Sequence, residues 1–203
     1  MDSFSLLIAV LLISSGYFFL GTKSSKGIRA TGAVLHSLPH YYGLFAGLLS
    51  ALPALVLLTI LGIGDGIIFD QLALEFVPDD VKASESYKEV IVLAQIYNVV
   101  NGINFGEQPD WVHAAAEAWN GWEATSTTLK TVTVLALSLI GGMLAYRMVN
   151  PDFRSRNAVE RIVMAILAAS SAIAILTTVG IVFSVIFESM RFFALVPVSE
   201  FLF

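Results

Sequence analysis

The chain has 203 residues, of which 57% are apolar and only 13% charged, with a mean hydropathy of +0.80 and a net charge of −5. A soluble domain carries about 25% charged residues, so there is too little charge here to cover a globular surface in water. The absence of cysteine removes disulfide frameworks, thiol catalysis and cysteine-based metal centres. The scattered basic residues exclude a nucleic-acid binder. What remains is an all-α integral membrane protein.

Crossing a hydrocarbon core of about 30 Å takes about 20 apolar helical residues, and four stretches approach or exceed that length. The first, residues 4–20, ends in Gly21 and is followed rather than preceded by Lys23, Lys26 and Arg29, the reverse of a secretory signal. The second, 41–63, is uncharged and has Pro53 near its middle, where a kink is expected. Gly62, Gly64 and Gly66 in its GIGDGI tail read as the end of the span, since no phosphate-loop lysine follows. The third, 129–149, carries Lys130 and Arg147 at its ends, where long cationic side chains can snorkel to the headgroups. The fourth, 162–187, continues as helix through Arg191 to Phe193, and Glu188 can pair with Arg191 on its surface.

Charges in the connecting segments set an orientation. Loop 21–40 holds three basic residues and no acid; loop 147–161 holds Arg147, Arg154, Arg156 and Arg161. Residues 65–123 hold eleven acids against Lys82 and Lys88. Lys and Arg are retained on the cytoplasmic side, which places the N-terminus and the acidic segment outside and the two basic loops inside.

The acidic segment 65–128 is too long for a plain connector. Asp79 and Asp80 after Pro78 open a helix, continued by Ala83, Tyr87, Val90, Ile91, Ala94 and Tyr97 at helical spacing. A second helix begins at Pro109, with Trp111, Ala115, Ala118, Trp119 and Trp122 along one side. That stripe is either an interfacial belt or a buried seam between two small helices. Thr125 to Thr128 offers N-caps for a separate third span.

Little in the chain points to chemistry. His36 and His40 are four apart but flank Pro39 and lack a following glutamate, and His113 stands alone among alanines. The span centres contain no Asp, Glu, Lys, Arg or His, the groups that mark conduction paths, so these helices read as scaffold. Gly43 with Gly47, and Gly141-Gly142, are small-residue contacts for neighbouring helices, and Gly43, Gly47 and the Trp stripe are expected to pack laterally against the permease helices. No catalytic, cofactor, substrate or metal site is assigned.

The segments Arg156-Asn-Ala-Val-Glu-Arg161, Ile175-Leu-Thr-Thr-Val-Gly-Ile-Val-Phe-Ser184, Phe187-Glu-Ser-Met-Arg-Phe-Phe193 and Val196-Pro-Val-Ser-Glu-Phe-Leu-Phe203 resemble the phosphate ABC transporter permease family PstC. Leu35-His-Ser-Leu-Pro-His-Tyr-Tyr-Gly43 and Ala51-Leu-Pro-Ala-Leu55 are similar to the N-terminal extension of its longer form. The resemblance implies residues 1–150 as that extension and 151–203 as the start of a MetI-like permease core. It further implies a bacterial inner-membrane location and partners of three kinds: a PstA-like permease, a PstB-like ATPase and a PstS-like phosphate-binding protein. The apolar ending at Phe203 reads as an interrupted chain, with the phosphate-path residues expected beyond it, so that residues 1–203 alone should not transport phosphate. The competing reading is an accessory or assembly subunit that docks through its acidic segment.

Overall fold

The computed structural model describes residues 1–84, 87–103 and 106–195; the Val196–Phe203 motif lies outside them. Every regular element among these residues is helical: α1 (Ser3–Ala30), α2 (Pro39–Glu75), α3 (Asp79–Lys82), α4 (Glu89–Val100), α5 (Asp110–Arg147) and α6 (Ser155–Leu195). Helices α1, α2, α5 and α6 are long and apolar enough to cross a membrane. Inside hydrocarbon only a helix or a closed barrel satisfies its own backbone, and uncharged runs of this length have no other stable conformation there. Two compact units result, Met1–Phe153 and Arg154–Phe203.

The first unit is a three-helix bundle, and its seams are built from small residues. Without a hydrophobic driving force in lipid, helices associate by close packing and shared polar groups. A Cβ on Gly43 of α2 would run into the Phe18 carbonyl and the Thr22 hydroxyl of α1, and Gly47 sits over Ser14 and Phe18. On α5, Gly141 lies against the Leu49 carbonyl of α2 and Gly142 against the Tyr17 ring of α1. The glycines expected to meet further transporter helices are therefore consumed within this unit.

Polar groups reinforce the same seams. Ser50 of α2 donates to the Ser138 carbonyl of α5 at 2.9 Å, with the Ser138 hydroxyl 3.0 Å away, and Ser14 of α1 lies 3.5 Å from Ser50. The Tyr17 hydroxyl donates to the Leu139 carbonyl at 3.1 Å. Leu6, Val10, Ala54, Leu58 and Val134 form the apolar core beside them. At one end of the bundle Phe153 stacks on Phe45 and the Tyr42 hydroxyl donates to the Phe153 carbonyl at 2.9 Å.

Several helix ends differ from the sequence expectation. Helix α1 does not stop at Gly21 but carries Lys23, Lys26 and Arg29 on its last turns, because Gly21 and Ser25 are buried against the start of α2. Helix α2 runs through GIGDGI to Glu75, so these glycines do not end the helix. Helix α5 is continuous from Asp110 to Arg147. Thr125 and Thr128 are mid-helix, their hydroxyls returned to the carbonyls of Gly121 and Ala124 at 2.9 Å rather than capping a new helix. The expected helix from Asp79 through Tyr97 is two pieces, α3 and α4, and α4 buries Val92 and Ile96 while Val90 is 79% exposed. One face was misassigned because Val90 to Val100 is apolar nearly all round, which leaves periodicity little to choose from.

The second unit is described by α6, a helix of 41 residues that is long and apolar enough to cross a membrane. Arg156 bonds Glu160 one turn away at 2.7 Å. Among the described residues no ion pair joins Glu188 to Arg191.

Candidate functional site

Polar chemistry gathers where the uncharged runs of α1, α2 and α5 reach their common end. Asp65, two residues past the uncharged run of α2, accepts through Oδ2 from Lys130 Nζ and from Ser126 Oγ on α5, both at 2.6 Å. Side-chain exposures of 15% for Lys130 and 20% for Asp65 show a pair largely withdrawn from solvent. An ammonium at the edge of hydrocarbon finds its best partner in a carboxylate brought to it by the neighbouring helix, and the pair needs the serine to satisfy the remaining lone pair.

Above this clamp lies the aromatic seam. Trp119 is 6% exposed, packed edge-on to Phe69 of α2 and Tyr97 of α4 with ring centres 5.4 and 4.8 Å apart. Val92, Ile96, Val112 and Ala115 complete the cluster, and Trp111 and Trp122 pack partly buried against it. Trp119 thus belongs to a buried seam between helices, while Trp111 and Trp122 keep part of their surface exposed. The Tyr97 hydroxyl donates to Asp70 at 2.7 Å; burial, then that bond and the carboxylate's charge, push the phenol up to about 12.

A cavity of about 320 Å³ opens between the clamp and the seam, walled by Asp65, Glu123, Lys130, Asn101, Tyr97 and Trp119. A second hollow of about 180 Å³ adjoins it on the α1 side, at Ser3 and Thr127. Two carboxylates against one already paired ammonium make the larger cavity unfit for phosphate, which needs uncompensated donors.

The histidines do not converge. His36 Nδ1 is 2.8 Å from the Pro151 carbonyl, His40 stacks on Tyr41, and His113 is exposed on α5. Among the described residues no group of three metal-ligating side chains forms. The residues that do come together, Asp65, Ser126 and Lys130, were separated in the sequence by the supposed end of one span and start of another. Only the i, i+4 spacing of Ser126 and Lys130 hinted at a shared helix face.

These features define a polytopic α-helical membrane protein whose bundle is closed by small residues in the hydrocarbon and by an ion pair at its edge. A family model described as phosphate ATP-binding cassette transporter matches residues 6–177, from the first turn of α1 into α6. The chain belongs to that family. Comparison with curated proteins and with solved structures gave no match.

Proposed function

We infer that this chain is the N-terminal portion of a PstC-like permease subunit, a scaffold beside the translocation pathway of an ATP-driven phosphate importer. The observation that carries the reading is the family match over residues 6–177, a range that takes in the three-helix bundle and the first part of α6. The packing supports a scaffold role: the seams are Gly and Ser contacts, and the uncharged runs 4–20, 41–63, 131–146 and 162–187 hold no Asp, Glu, Lys, Arg or His that would mark a conduction path. Residues 1–150 act as the extension and 151–203 as the beginning of the MetI-like core. The basic loops face the cytoplasm of a bacterial inner membrane, where the ATPase subunits bind, and the acidic segment faces the phosphate-binding protein.

The test is removal and capture. Cells lacking the gene should lose high-affinity phosphate uptake, and the tagged chain should co-purify from detergent with a second permease and an ATPase. Unchanged uptake in the deletion strain, with no ATPase in the purified complex, would overturn the assignment.

A further inference from the structure

We propose that the cavity between the Asp65–Lys130 clamp and the aromatic seam binds an organic ammonium ion. The proposal concerns a site separate from any phosphate path and does not depend on the permease reading.

Three observations converge on that ligand. The first is charge: Asp65 and Glu123 line the cavity with Lys130, so the lining carries a net charge of −1 that one monocation would cancel. The second is which polar atoms remain open. Lys130 and Ser126 are both engaged by Asp65 Oδ2, and Asn101 Nδ2 donates to the Tyr97 carbonyl at 2.7 Å. Among the described residues no hydrogen bond or ion pair engages Glu123, Asp65 Oδ1 or the Asn101 side-chain oxygen. All three are acceptors, and an ammonium is a donor without acceptors. The third is the wall: Tyr97 and Trp119 supply aromatic surface, which attracts a cation through the ring quadrupole.

The level of the cavity names two sources for this chemistry. It sits where Ser3, Asp65 and Lys130 end the uncharged runs of three helices, and such run ends are where a bilayer's headgroups are expected. An ethanolamine headgroup presents an ammonium there, and a free organic amine reaches the same place from water.

The experiment titrates the full chain, in nanodiscs of phosphatidylglycerol, with ethylammonium at constant ionic strength, following intrinsic tryptophan fluorescence. A saturable change is expected, weakened about tenfold or more in Glu123→Gln, the size expected when a charge-assisted hydrogen bond is lost. It should be unaltered in Glu117→Gln, whose exposed carboxylate on the same helix lies outside the cavity. In phosphatidylethanolamine nanodiscs, a titration displaced to higher concentration identifies the lipid headgroup as the occupant. An undisplaced one identifies the free amine, and either supports the site. No saturable change, or equal affinity in wild type and Glu123→Gln when both show the same unfolding temperature, overturns the proposal.

Discussion

Gly141 of α5 is seated on the carbonyl of Leu49, the carbonyl that Pro53, four residues later on α2, cannot bond. Proline in the middle of a spanning helix leaves an acceptor without its helical donor, which hydrocarbon does not forgive unless a neighbour covers it. The bare Cα of glycine lets α5 approach closely enough to do so, with Cα–H groups toward the oxygen. Ser50, the next residue, extends the repair by bonding to α5 at Ser138.

Gly141→Val should therefore lower the thermal unfolding midpoint in detergent by several degrees, from about 1–3 kcal/mol of overpacking against backbone that cannot yield. Gly16→Ala on α1, where a Cβ meets nothing within 4 Å, is the matched control and should be neutral or slightly stabilising. Equal effects at the two positions would show that the glycine contact does not hold the bundle.

Ser50→Ala removes the bond to Ser138 but almost no volume. Interhelical hydrogen bonds in membranes average about 0.6 kcal/mol, with a maximum near 1.7, so a modest loss in that range is expected. Ser15→Ala should change nothing measurable, because the exposed Ser15 hydroxyl bonds only to its own helix at Leu11.

The clamp makes a prediction about pairs. Lys130→Met and Asp65→Asn should each destabilise the bundle by about 1–3 kcal/mol, since either leaves a mostly buried charge without its partner. The double variant should be less damaged than the sum of the two, with a coupling of about 1 kcal/mol or more in a double-mutant cycle. Strict additivity of the unfolding free energies would show that the pair is incidental.

Tyr97 predicts a response to alkali. Its phenol is held up to about 12 in the fold, above the unfolded value of 10.0. The unfolded chain loses the proton first, so the stabilisation is complete below pH 10 and declines as pH rises from 10 to about 12. Tyr97→Phe should remove this contribution to alkaline destabilisation, read by unfolding at stepped pH, and one phenolate step should shift toward lower pH on denaturation of the wild type.

The orientation is checked by accessibility. Single cysteines at Glu117 and Asp152, both exposed, should label from opposite sides of sealed inside-out vesicles, Asp152 from the cytoplasmic face. Labelling of both from one side would reverse the proposed topology.

The middle of each span was legible in the sequence because a long uncharged run has one low-energy environment, and helix is the only conformation that satisfies its backbone there. The ends were not. Asp65, Asp70 and Glu75 look like a loop until they are seen to continue α2, and a carboxylate withdrawn from solvent at the end of an apolar run needs a partner from another helix. For Asp65 that partner is Lys130, 65 positions away along the chain. Trp119 was likewise assignable to an interface or a core by spacing alone, and the arrival of Phe69 and Tyr97 on its two sides chose the core.

By itself, then, the sequence determined that this is a helical membrane protein with four spanning segments, through hydropathy summed locally over about 20 residues. Only the tertiary structure decided where the helices stop, which glycine meets which carbonyl, and that three polar residues from two helices meet at the bundle's edge. Those outcomes depend on distances between residues remote in sequence, and a local sum of hydropathy carries no information about such distances.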